Sequence, residues 1–312
     1  MIFPGLEDLN LTASKAPWIT YGGSYPGAFV VFARKLYPDV FWGAISSSGV
    51  TEAIEEYWEY YEPIKQYGLP ECVWTTQILT NAVDRILIES QNRTLRSQLK
   101  SAFGSAEVRH DADFANLLTH GFLHWQVRNW DPAVGSPGPM YYYGNLTHTS
   151  LLYTSESNLT SSIIELLAAV GYGGNSTLVT RMLNWIGYTK TVVSTITSSS
   201  SLGPSLKDNT ANINDPFTAN LSEFSTEDSL DTGWRSGLYQ VCTQWGYFIT
   251  GSGSTPDNLP LISRLIDLPY ASQYRHQIFN ITTSFNITAI NKHGGFNFSF
   301  PRVAIIDGLV DP

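Results

Sequence analysis

The chain has 312 residues, 43% apolar and 14% charged, with 27 acidic against 18 basic side chains and a formal net charge of −9. That length suits one large domain, or a core carrying a substantial insertion. The acidic balance argues against nucleic acid and against an anionic membrane surface as partners, since both need clustered Lys and Arg, and no stretch reaches the roughly 18 apolar residues of a membrane span.

The first ten residues, MIFPGLEDLN, have neither the basic nor the apolar part of a secretory signal. The expectation is that a signal was removed together with more of the protein, or that the chain is a fragment. Residues 16–50 then read as strand, sharp turn, helix and strand. APWITYGG is a short apolar run bounded by glycines, PGAFVVFARKLYP has helical spacing with Phe29, Phe32, Ala33 and Leu36 on one face, and FWGAISSSGV is a second apolar run. Such a βαβ unit implies a parallel sheet with a right-handed crossover.

From Thr51 the pattern changes to apolar residues three and four apart, in TEAIEEYWEYYEPIKQYG, VWTTQILTNAVDRILIES, NRTLRSQLKSAFG, DFANLLTHGFLHWQVRNW and SSIIELLAAVGYGG. This predicts a helical insertion over 51–225, closing on the Ser- and Asn-rich stretch STITSSSSLGPSLKDNTANINDP, a surface loop. Residues 226–312 return to the core, ending on the strand-like VAII followed by Asp307, Gly308 and Asp311. The fold class predicted is therefore α/β, with a parallel sheet and a large helical cap insertion.

Nine Asn-x-Ser/Thr sequons, at Asn10, Asn92, Asn145, Asn158, Asn175, Asn220, Asn280, Asn286 and Asn297, point to a glycoprotein of the secretory route, secreted or vacuolar/lysosomal. Cys72 and Cys242 are the two cysteines. In an oxidising compartment an isolated pair reads as one long-range disulfide, and two buried thiols are the alternative.

The chemistry is carried by WITYGGSYPG. A strand turning directly into a helix through Gly-x-Ser is the nucleophile elbow of α/β-hydrolases, where the serine is held in a strained backbone with its hydroxyl standing clear. Gly22 stands two before Ser24; Pro26, not Gly, stands two after, and proline is tolerated in the first turn of a helix. Ser24 would attack a carbonyl carbon while the backbone N–H of Tyr25 serves as one oxyanion donor. The fold's chain order then asks for an acid in the loop after a later strand, where Asp307 and Asp311 stand, and for a histidine after it. All six histidines, at 110, 120, 124, 148, 276 and 293, precede Asp311. His120 and His124 are four apart, a metal-ligand spacing, but without acidic or cysteine partners no metal site is predicted, and no cofactor is called for.

These residues resemble the prolylcarboxypeptidase-like serine peptidases, which include dipeptidyl peptidase II and the fungal acid prolyl endopeptidases. PWITYGGSYPGAFVVFARKLYPDVFWGAISSSGV looks like the family's nucleophile block, GLYQVCTQWGYFITG like its Tyr-Gln-x-Cys-Thr-Glu block, and RVAIIDGLVDP like its Gly-x-x-Asp-Pro block. The resemblance implies an α/β-hydrolase core over 1–50 and 226–312, with the helical cap between, and a peptide substrate with proline near the cleaved bond. It makes Ser24 the nucleophile and Asp311 the triad acid, and it pairs Cys72 with Cys242 across cap and core. Gln244 stands where the family usually has Glu, and Ala28 where several members have Met facing the proline pocket. Both mark substrate contacts. The family's catalytic histidine follows its Asp-Pro block, so residues 1–312 as they stand are expected to be catalytically incompetent. Two rivals remain at this point: another acyl hydrolase such as a lipase or esterase, and a non-enzymatic glycoprotein kept for binding.

Overall fold

The computed structural model describes residues 9–13, 15–119, 138–198, 233–251, 253 and 259–308, with side chains withheld at 138–141, 195–198, 233 and 234. The described residues form five strands: β1 (Ile19–Gly23), β2 (Gly43–Ser47), β3 (Ile54–Glu56), β4 (Gly246–Phe248) and β5 (Val303–Ile306). β1, β2 and β5 make a parallel sheet in the order β1-β2-β5, and β3 pairs with β4. The chain is thus α/β, with β1 and β2 joined through helix α1 (Tyr25–Leu36) as the βαβ pattern predicts.

The chain divides into two units: residues 1–55, 240–247 and 283–311, and residues 56–239 and 248–282. The first holds the parallel sheet and α1. Its core gathers Ala28, Val31 and Phe32 of α1 with Ala44 of β2, Trp245 and Phe298. The buried stripe of α1 differs from the predicted one, because Phe29 (65% exposed) and Leu36 (54%) face outward while Ala28 is fully buried. AFVVFA is apolar almost all round, so its periodicity allows two faces. The tight contact of the helix start with the strand end, described below, selects the one carrying Ala28 and Val31.

The second unit is helical: α2 (Glu62–Tyr67), α3 (Pro70–Asp84), α4 (Arg93–Ala102), α5 (Asp111–Leu117), α6 (Gly138–Thr147), α7 (Thr160–Ala169), α8 (Ser176–Ser198), most of α9 (Gly233–Gln240), α10 (Leu268–Ala271) and α11 (Tyr274–Phe279). A last short helix, α12 (Thr288–Asn291), belongs to the first unit. Leu79, Leu99, Phe114, Leu146, Leu166 and Ile186 are fully buried in the helical unit, as apolar residues spaced three and four apart require. Three details depart from the expected elements. Ile54–Glu56 of the stretch read as helix is β3. α8 runs 23 residues to Ser198, where the sequence suggests a loop from about residue 194. Residues 248–282, given by sequence to the core segment 226–312, pack with the helices. The remainder of the Ser/Asn-rich stretch lies outside the described residues.

Candidate active site

The first unit's three strands run parallel, so their carboxyl ends share one edge, the usual place for a site in an open α/β sheet. Gly23, Ser47 and Ile306 are in register across it. Ser24 leaves β1 at φ 56°, ψ −131°, a region costly for any residue with a side chain, and α1 starts at the next residue. The turn is pinned by two hydrogen bonds: Ser24 N–H donates to the Ser47 carbonyl at 2.9 Å, and Gly27 N–H to the Ser24 carbonyl at 2.9 Å.

The glycines of the turn are dictated by contact. A Cβ on Gly22 would lie 2.4 Å from the Pro26 carbonyl oxygen, and one on Gly27 would lie 2.8 Å from Ser46 Oγ and 2.9 Å from Gly49 Cα. The helix start therefore lies against both β1 and the end of β2. Pro26, which interrupts the Gly-x-Ser-x-Gly pattern, is exposed in the first turn, and the close approach falls instead on Gly27.

Ser24 is exposed, and no described residue hydrogen-bonds its hydroxyl. The N–H of Tyr25, first in α1, has no intrahelical acceptor and sits at the positive end of the helix, where developing negative charge is favoured. The Tyr25 ring meets Trp245 edge-on at 5.1 Å, its hydroxyl donates to Gln240 Oε1, and Trp245 Nε1 donates to the Val50 carbonyl at 3.2 Å. The GLYQVCTQWGYFITG block is thus packed directly on the residue after the serine. Sequence reasoning assigned no role to Gln240 or Trp245, although both lie within that block. An exposed, positive-φ serine between a strand and a helix has the backbone geometry of a nucleophile elbow.

The sequence pattern of the serine carboxypeptidase S28 family matches residues 6–126. Over 311 residues the chain is 41% identical to a protein of Arthroderma benhamiae named "Probable extracellular serine carboxypeptidase", covering 99% of this chain and 42% of that one. The chain is thus similar to the serine carboxypeptidase S28 family. It is also 26% identical over 310 residues to "Serine protease vicPa" of Bipolaris victoriae, covering 96% of this chain and 54% of that protein. A third relative, "Thymus-specific serine protease" of Mus musculus, is 24% identical over 321 residues, covering 98% of this chain and 55% of its own. The chain spans about half the length of these curated relatives.

The other expected site residues fall as follows. Asp307 is exposed immediately after β5, and Ser48 N–H donates to the Ile306 carbonyl at 2.8 Å, so Ser24, Ser48 and Asp307 each directly follow one of three adjacent strands. Two strand spacings separate Ser24 from Asp307, about 10 Å, which leaves room for a side chain between them. Asp311 lies outside the described residues, as do His120, His124 and Asn220. His293 belongs to the same unit, but its ring stacks on Phe32 at 5.1 Å and its carbonyl accepts from Lys35 at 2.7 Å. Partial burial, with Lys292 and Lys35 nearby, pushes its imidazole below the ordinary pKa. It serves the packing around α1. His110, His148 and His276 belong to the helical unit.

Gln244 is exposed in the turn before β4, open to a ligand. Ala28 is fully buried in the core behind the elbow, which leaves it no surface to offer a substrate. Cys72 and Cys242, which the resemblance pairs, are both buried, one in each unit. Cys72 Sγ is enclosed within the helical unit near Thr76 and Arg181, and burial pushes its thiol up to about 12. Seven sequon asparagines are exposed, at positions 10, 92, 158, 175, 280, 286 and 297. Asn145 is not available: it is 7% exposed, on the turn of α6 that also buries Tyr142 and Leu146. Among the described residues no group of His, Cys, Asp and Glu is arranged to hold a metal ion, and no helix is long and apolar enough to cross a membrane.

Proposed function

We propose that this protein is a secreted, glycosylated serine peptidase of the α/β-hydrolase fold that cleaves peptides next to proline through an acyl-enzyme. Ser24 is the nucleophile, the Tyr25 N–H one oxyanion donor and Asp311 the carboxylate that orients a histidine base. The helical residues 56–239 serve as a cap that restricts substrates to short or unfolded peptides, and Gln244 contributes to recognition of the substrate. The name of the A. benhamiae relative makes cleavage at the carboxyl end, outside the cell, the first preference to test.

One observation carries this reading: Ser24 holds φ 56°, ψ −131° between β1 and α1 with its hydroxyl exposed. A strained residue kept at a strand-to-helix turn is the signature of a site rather than of a stable fold. The enzyme isolated in full from the organism that makes it is expected to release the residue after proline from a blocked Pro-X dipeptide. Ser24→Ala should lower kcat by about 10⁴ or more with the melting temperature unchanged or raised. Ester turnover without prolyl-peptide turnover would favour a lipase or esterase, and neither turnover, in a correctly folded protein, would favour a binding glycoprotein.

A further inference from the structure

A cavity of about 340 Å³ opens on the helical unit between α7 and the start of α8. Its walls are apolar: Ile164 and Leu167 come from α7, Tyr172 from the connecting turn and Val179 from α8. Ile164 is 47% exposed, and the Tyr172 ring is held in the wall by its hydroxyl, which donates to Asn81 Oδ1 at 2.7 Å. The rim is open at Gly174, where a Cβ would meet nothing within 4 Å. Asn175 forms part of the lining and opens the sequon Asn175-Ser176-Thr177. Its Oδ1 accepts the N–H of Leu178 at 3.0 Å, so the side chain caps α8, while Nδ2, the atom that carries an N-linked glycan, bonds no described residue.

We infer that this cavity is the seat of the protein's own sugar: the first N-acetylhexosamine attached to Asn175 folds back onto Ile164, Tyr172 and Val179. The occupant is tethered at the rim by a covalent bond, which removes most of the entropy cost of docking. A pyranose ring carries a face of C–H groups that matches an aromatic and aliphatic wall, and its acetamido and hydroxyl groups match Thr160 and Thr180 in the same lining. The volume is at the small end for ligand pockets, about 300–1,000 Å³, which suits one or two sugar rings and not an extended chain. The contrast with Asn92 is internal. Its Oδ1 likewise caps a helix, accepting from Thr94 N–H at 2.9 Å and Leu95 N–H at 3.4 Å, but it is not part of this cavity.

The inference rests on the secretory reading, and the test separates the two. The protein made in a eukaryotic secretory host is analysed by glycopeptide mass spectrometry, then treated under native conditions with peptide-N-glycosidase F, which must reach the Asn–sugar bond. Release at Asn175 is expected to be about tenfold slower than at Asn92. The rates should become equal after denaturation, and Ile164→Ser should speed release at Asn175 alone. Thr177→Ala, which removes the glycan and spares the cap, should lower the melting temperature by about 2 °C, more than Thr94→Ala does. Equal native release at the two sites, or glycan at Asn92 with none at Asn175, overturns the seat while the secretory reading stands. The absence of glycan at every sequon overturns both.

Discussion

The two units of the chain bury their apolar residues in opposite ways. Among the described residues, each of the twelve largest fully buried side chains, from Tyr142 and Phe114 to Met182 and Ile186, belongs to the helical unit. The sheet unit leaves Ile19, Tyr21, Phe29 and Ile306 more than half exposed, and places a strained serine at its strand edge. The helical unit thus carries a large apolar core of its own, whereas the sheet unit holds a strained residue at the end of β1. Strain of this kind persists only where surrounding contacts over-determine it, and around Ser24 those contacts are backbone against backbone.

The sharpest way to break that contrast is to crowd the elbow. Gly22→Ala forces a methyl to within 2.4 Å of the Pro26 carbonyl and should cost about 3 kcal/mol or more, read as a lowered melting temperature with loss of labelling by an active-serine probe. A smaller but clear difference should separate the two cores. Leu166→Ala in the helical unit is expected to cost about 3 kcal/mol in thermal unfolding, whereas Ile306→Ala on β5 should cost less than about 0.5 kcal/mol.

The helical unit should also be the alkali-sensitive one. Burial holds Cys72 protonated up to about 12, against an ordinary 9.0, and Tyr188 up to about 12, against 10.0. A pKa raised by folding means that the folded chain keeps its protons longer. The stabilisation is whole below pH 9 and is lost as pH rises toward 12. A pH series of melting temperatures checks this, together with the absence of native Cys72 alkylation at pH 8. The smallest effect is expected under the elbow. Ser46 is fully buried and its Oγ has no described partner, so Ser46→Ala should leave stability within about 0.5 kcal/mol or raise it.

The β1–α1–β2 unit was legible because glycines and a proline punctuate it. The turn at Ser24 was legible because Gly-x-Ser stands directly between a strand-like and a helix-like run. The rotation of α1 was not, since Phe29 and Ala28 are equally apolar and only the Gly27–Gly49 contact chooses between them. β3 was hidden in an aromatic- and Glu-rich run whose spacing also suits a helix. α8 was missed because threonines and Gly187 dilute its pattern, although Leu178, Met182 and Ile186 recur every four residues and all three are buried. Asn145 shows the limit of a triplet motif: the sequon is local, whereas the burial that closes it comes from helices distant in sequence.

Whether Ser24 is the nucleophile is tested most directly by a fluorophosphonate probe. The protein isolated in full is labelled and its peptides are mapped, with Ser24→Ala as the control. An adduct on Ser24, absent from the variant and from Ser48 at the neighbouring strand end, is the predicted result. An adduct on another serine, or none on a folded and peptide-hydrolysing protein, would contradict it.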